Sequence, residues 1–263
     1  MKTTLKTSKL ITGSLAVAGL LLFGTQAKAD YSDDFSSGTD TAWEHDSEYV
    51  MSFGQTWDAS SYAYRMTADL GGFGYGYGAS YAPGEMGSEV SVQSDIVTFQ
   101  GPGAFGVWGV AMDVDTASLH ILFGLTGYTF IYEPYGNGLL GSVELIRIDP
   151  SATFIGLGGG DVPVTLSVGT DYTMLMTHSA SGLIVGELWE VGGLAPLVRV
   201  TDTDTTYMSG RSGLVVFLTD PAEASPVDTT FDNFVSEVPE PGSAALLGLG
   251  VLGFLVRRIW PKK

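Results

Sequence analysis

Between the apolar amino-terminal segment and residue 243 no stretch sustains a 3.6-residue apolar period, which argues against a helical fold over most of the chain. Short runs rich in Val, Phe, Tyr, Leu and Thr recur instead, separated by clusters of Gly, Asp, Pro and Ser. That pattern predicts an all-β, antiparallel sandwich or barrel. Candidate strands cover 61–69, 88–99, 105–114, 118–126, 128–134 and 141–149, then 162–168, 171–179, 182–191, 212–220 and 229–238. In "YTMLMTHS" the alternation is clear: Tyr172, Met174 and Met176 share one face, and Thr173, Leu175 and Thr177 the other. In "SVELIRI" it is not, because Val143, Leu145 and Arg147 oppose Glu144, Ile146 and Ile148, and either face can be the buried one. The Gly/Tyr-rich "GGFGYGYGASYAPGEMG" (71–87) reads as a mobile surface loop.

The ends differ from this middle. Lys2, Lys6 and Lys9 precede an apolar run from Leu10 to Gly24, and the small residues Ala27 and Ala29 stand just before Asp30. This is the layout of a cleavable signal peptide over 1–29, with an uncleaved anchor as the alternative. The β region, 30–237, fits a single domain with a sizeable core. From Asp30 to Glu240 the chain sets 29 acidic residues against four arginines and no lysine, a formal charge of −25. Such a field repels nucleic acid and anionic lipid and favours solubility or divalent cations. No cysteine is present, which excludes disulfides, thiol chemistry and structural zinc of the Cys type.

"DDFSSGTDTAWE" near the start and "TTFDNFVSE" near the finish resemble the first and last strands of the concanavalin A-like (laminin G-like) jelly-roll superfamily. "DYTMLMTHSASGLIVGELWEV" followed by "MSGRSGLVVF" is similar to a pattern common in its extracellular members. The resemblance implies a two-sheet antiparallel jelly-roll sandwich whose terminal strands lie side by side, in domains that often bind carbohydrate or act as adhesive modules. Members often hold a structural calcium near those strands. Here Asp33, Asp34 and Asp232 are the oxygen donors that pairing of the ends brings nearest, and carbonyls and water must complete the six to eight ligands calcium takes. The alternative is that Asp232 and Asn233 simply end or bulge a strand.

"WEHDSEYV" holds E-x-D-x-E, with Glu44, Asp46 and Glu48 on one face of a strand. It resembles the catalytic strand of the laminarinase and β-glucanase family, which implies a nucleophile, a tuning carboxylate and an acid/base. The motif comes early in the chain, and His45 and Ser47 stand where that family places apolar residues. An acidic loop or strand edge is therefore the expected reading, and the protein is expected not to be an enzyme. His45, His120 and His178 lack metal-type spacing, and no nucleophile elbow or Walker-type loop occurs. "TDTDTT" (201–206) reads as a solvated hairpin tip or, less simply, a cation-binding turn. Tyr75, Tyr77 and Tyr81, or Trp108 and Trp189, are candidate flat platforms for sugar rings, against core packing or surface filling.

The carboxyl-terminal 238–263 carries Pro239-Glu240-Pro241, an apolar run from Ala244 to Val256, then Arg257 and Arg258. It resembles the PEP-CTERM sorting signal of exported bacterial proteins, which implies an exosortase as partner and delivery to the cell surface or an exopolysaccharide matrix. Thirteen helical residues rise about 20 Å, short of a hydrocarbon core of about 30 Å. That suits transient insertion of a single hydrophobic helix in the inner membrane, with the basic tail cytoplasmic. The expected protein is thus an exported matrix component, with extracellular polysaccharide as its candidate ligand, calcium as its candidate ion, and no nucleic-acid partner.

Overall fold

The computed structural model describes residues 31–45, 56–68, 76–100, 106–115, 126–134, 141–150, 153–218 and 227–237. Ala27, Ala29, Asp46, Glu48, Tyr75, His120, all but the last residue of the expected strand 118–126, and Pro239, Glu240, Pro241, Arg257 and Arg258 lie outside the described residues. Among the described residues no helix is long and apolar enough to cross a membrane.

The first strands in chain order are β1 (Tyr31–Asp33), β2 (Glu44–His45), β3 (Thr56–Asp58), β4 (Tyr64–Ala68) and β5 (Gly76–Tyr81). Next come β6 (Val90–Phe99), β7 (Gly106–Val114), β8 (Gly127–Glu133), β9 (Ser142–Asp149) and β10 (Thr153–Pro163). The last are β11 (Tyr172–His178), β12 (Leu183–Glu190), β13 (Val198–Thr203), β14 (Arg211–Leu218) and β15 (Val227–Glu237). They form two antiparallel sheets. Sheet A runs β13-β12-β11-β6-β15-β4-β3, with β1 also on β15, and sheet B runs β10-β9-β8-β7-β14-β5-β2.

The inner faces meet in one core. Tyr172, Met174 and Met176 of sheet A point into it, as their alternation predicts, opposite Trp108, Val110 and Met112 of β7. Phe99, Trp108 and Tyr132 pack edge-to-face or tilted at 4.9–6.3 Å between ring centroids. A second aromatic group stacks Phe35 on Tyr64 at 5.0 Å and sets Phe234 edge-on to Trp43 at 4.8 Å. It clamps the chain's first turn over β15, which is where β1 docks: Tyr31 opposes Ser236 and Asp33 opposes Phe234.

Three expectations need correction. Residues 76–81 are not a surface loop but β5, paired with β14 and β2, with Ala79, Ser80 and Tyr81 buried. The expected strand 162–168 shifts toward the amino terminus: β10 ends at Pro163, and its Gly-rich 158–161 forms a bulge against β9. "TDTDTT" is a solvated tip only in part: Thr201 to Thr203 complete β13 and Thr205 and Thr206 are exposed, but the Asp204 side chain between them is only 10% exposed.

Candidate functional site

Sheet B has a far face, turned away from sheet A, and it decides the ambiguity in β9. Val143 and Leu145 enter the inter-sheet core, whereas Ile146 and Ile148 join Val107, Ala111, Ile131 and Val215 in a second buried apolar cluster on the far face. Both faces are buried, so neither shows the polar alternation of a half-solvated strand.

At the β8-β9-β10 edge of this far face three carboxylates meet. Glu133 of β8 pairs with Ser142 of β9, and Glu144, two residues further on, pairs with Ile131. Ser142 and Glu144 therefore share the face, with Glu133 diagonal to Glu144. On the other side Val162 pairs with Val143, which sets the preceding Asp161 beside Glu144. Burial, then the charges of Asp161 and Glu144, push the Glu133 carboxyl up to about 7. Burial and Asp161 push Glu144 up to about 7 as well. Ser142 is fully buried between them, and its Oγ has no hydrogen-bond partner among the described residues. Gly156 makes room for this arrangement, because a Cβ there would stand 2.7 Å from Glu144 Oε1. Groups of this kind, half-buried and near neutrality, suit proton exchange or capture of a positive group.

A second polar cluster closes one end of the sandwich. A bulge in β7 leaves Asp113 at φ 53° and turns it inward, where its Oδ2 lies 2.6 Å from His178 Nδ1. His178 Nε2 faces the Asp204 carbonyl at 3.0 Å, and the His178 and Asp113 side chains are both fully buried. Burial raises the Asp113 carboxyl above the usual range, with His178 acting against it. Beside this pair Arg147 joins Asp149 and Asp204, and Tyr128 and Tyr207 donate their hydroxyls to Asp204 and Asp149. Burial opposes ionisation of Asp204, yet hydrogen bonds from Thr206, Tyr128 and Arg147 hold its carboxyl down at about 2. Arg147 and the two tyrosines are matched to carboxylates and so tie neighbouring strands together, while the buried Asp113 Oδ1 has no hydrogen-bond partner among the described residues.

The sequence candidates fall elsewhere. Glu44 lies on β2, exposed, in an ion pair with Arg211. Tyr81 is 1% exposed on the buried far face and offers no open ring, and Trp108 is wholly in the core. Tyr77 sits in β5 opposite Phe217. Trp189 is half-buried and donates to Glu187 at 3.1 Å. Asp33 accepts from the Phe35 amide, Trp43 Nε1 and the Tyr31 hydroxyl, so its oxygens already face donors, and those N–H groups would repel a cation. Asp34 accepts the Ser36 amide at 3.0 Å, and Asp232 lies near Asp95, Asp34 and Asp171, its carboxyl raised by burial first. Strand pairing does bring Asp33 and Asp34 near Asp232 at the middle of β15, but the donors that face Asp33 suit it poorly to the role of calcium ligand. Among the described residues no three His, Asp or Glu side chains are grouped to hold a metal ion.

Solved structures share this sandwich. A carbohydrate binding module, CBM66 from Bacillus subtilis, matches at TM-score 0.51 and 14% identity, over 74% of this chain and 95% of its own. Lectin II from Ulex europaeus matches at TM-score 0.53 and 9% identity, over 79% and 97%. A β-1,3-glucanase from Mycobacterium marinum matches at TM-score 0.50 and 14% identity, over 78% and 97%. No curated protein matches the chain. Residues 237–259 match the family model described as the PEP-CTERM protein-sorting motif, the mark of proteins exported and transiently held in a membrane before sorting to the cell surface. The chain is therefore an exported protein in which a two-sheet jelly-roll sandwich precedes a PEP-CTERM sorting signal.

Proposed function

We propose that this protein is a non-enzymatic, glycan-binding component of the cell surface or exopolysaccharide matrix, processed by an exosortase. The observation that carries the reading is the sorting motif placed directly after β15. A sorting signal for the cell exterior thus follows a sandwich whose fold is shared by a carbohydrate binding module and a lectin. The strongly acidic, lysine-free sandwich suits a soluble module among neutral or cationic polymers and argues against nucleic acid as ligand.

A glycan array probed with the full-length chain tests it: retention on at least one polysaccharide is expected, and no binding to any glycan would defeat the proposal. The same preparation should release no reducing ends from β-glucans. Hydrolysis reduced at least a hundredfold by Glu44→Gln would instead favour a glucanase, against the ion pair that now engages Glu44 with Arg211.

A further inference from the structure

The outer face of sheet A, turned away from the core, carries side chains that neither apolar cluster absorbs. Every described strand belongs to one of the two sheets, so none lies over this face. Leu188, Met174 and Ser94 point inward and are fully buried, so strand alternation turns Trp189, Thr173 and Asp95 outward. Register sets these three side by side, Trp189 opposite Thr173 and Thr173 opposite Asp95. Asp95 in turn opposes Asp232, where the bulge in β15 adds Asn233 to the end of the row. Leu197 stands at the other end, just before β13 and 48% exposed; its amide binds the Leu188 carbonyl at 2.7 Å, next to Trp189. From β13 to β15 the row crosses four strand spacings, about 19 Å, which is room for several sugar rings rather than one.

Trp189 gives the row its character. A tryptophan usually buries most of its ring, yet this one joins neither apolar cluster and stays partly exposed. Its Nε1 donates to Glu187 Oε2 at 3.1 Å, and Arg199 Nε lies 3.4 Å from Glu187 Oε1. The indole edge is thereby held, and its apolar face is what remains for a ligand. Further along, the Asp95 carboxylate accepts from Thr173 Oγ1 at 2.5 Å and from Asn233 Nδ2 at 3.0 Å. A carboxylate has about four acceptor sites, so this one is fixed in place with capacity left for hydroxyl donors. An apolar ring face beside held polar groups matches a pyranose, which offers C–H groups on its face and hydroxyls at its rim.

The charges narrow the ligand. Glu187, Asp95 and Asp232 stand on or beside the row, and the two arginines of this face, Arg65 and Arg199, are ion-paired with Asp228 and Glu187. Uronate or sulfate groups would meet a negative field there. We propose that Trp189, Thr173, Asp95 and Asn233 form a binding site for a neutral polysaccharide, laid across the strands of sheet A with one pyranose ring stacked on Trp189. This rests on the glycan-binding reading and gives it a place and a ligand class.

The test is binding of the full-length protein to immobilised neutral glucan, mannan and galactan, and to the uronate polymer alginate, at about 0.1 M and about 0.5 M NaCl. At least one neutral polymer should bind, with affinities within twofold at the two salt concentrations, and alginate at least tenfold more weakly. Trp189→Ala should weaken the neutral polymer at least tenfold, and Thr173→Val with Asn233→Gly at least threefold. Tyr62→Ala removes a ring 68% exposed beyond β3, at the other edge of the sheet, and should change affinity less than twofold. A Trp189→Ala protein that melts and binds like the parent would overturn the site, as would alginate bound as tightly as the neutral polymer. If Trp189→Ala does not fold, the Thr173–Asn233 variant decides alone, and undiminished binding by it overturns the site. Glycans retained by all of these variants would sink the site and leave glycan binding standing; silence on every glycan would sink both.

Discussion

Glu133 and Glu144 hold their protons longer in the folded chain than in the unfolded one. Their carboxyls move from the ordinary 4.5 to about 7, so between those values the native state binds more protons. Stability from this source is present below about pH 4.5 and is lost as pH rises through 7. The double Glu→Gln variant should therefore melt higher than the parent at pH 7–8 and equal to it near pH 4.5. About 1 kcal/mol per residue, after discounting for solvent screening, corresponds to about 2–4 °C each. A variant that melts lower at pH 8 would contradict this. Asp204 works with the opposite sign. Its carboxyl, held at about 2 against an ordinary 3.8, contributes stability above 3.8 that disappears as pH falls through 2. His178→Ala leaves Asp113 as a buried, uncompensated group, and a loss of about 3–5 kcal/mol is expected in urea unfolding.

Strands differ in how openly they are written. β11 is plain because Tyr172, Met174 and Met176 alternate against polar partners. β5 was hidden by its composition: Gly76, Gly78, Ala79 and Ser80 carry little β propensity, yet small residues are what this edge of sheet B admits. Ser80 Oγ lies 2.7 Å from the Tyr64 hydroxyl and 3.1 Å from His45, so a larger side chain would break the contact between sheets. The expected strand 162–168 misses the start of β10 because glycines 158–160 carry little β propensity, and "VRVTDT" of β13 runs into aspartates that do the same. The edge site was illegible for another reason. Its members stand at 133, 142, 144 and 161 and converge only through register; the one available signal was Glu144 inside the apolar run of "SVELIRI". Close approach within sheet B can be checked directly. A Cβ at Gly109 would stand 2.1 Å from the Phe130 carbonyl oxygen, so Gly109→Ala should cost about 3 kcal/mol or prevent folding. Gly87→Ala, with open space around it, should stay within about 0.5 kcal/mol.

The whole molecule is a highly acidic sandwich held together without disulfides. Its terminal strands pair, as the resemblance implied, but Asp33 at their junction is satisfied by the Trp43, Phe35 and Tyr31 donors. Melting in EDTA and in calcium chloride should accordingly give the same Tm; a fall of more than about 5 °C in EDTA would mean that an ion does hold the ends. Deleting 227–237 should abolish cooperative melting altogether, because that segment occupies the middle of sheet A between β6 and β4 and also carries β1. The same placement sets a clock on biogenesis. Among the described residues the centre of sheet A is the last strand to be synthesised, and its partner β1 is the first. An exporting chain therefore cannot complete its sandwich until residue 237 has emerged, immediately before the sorting signal follows. Completion of the sandwich outside the membrane is thereby tied to the arrival of the sorting signal itself.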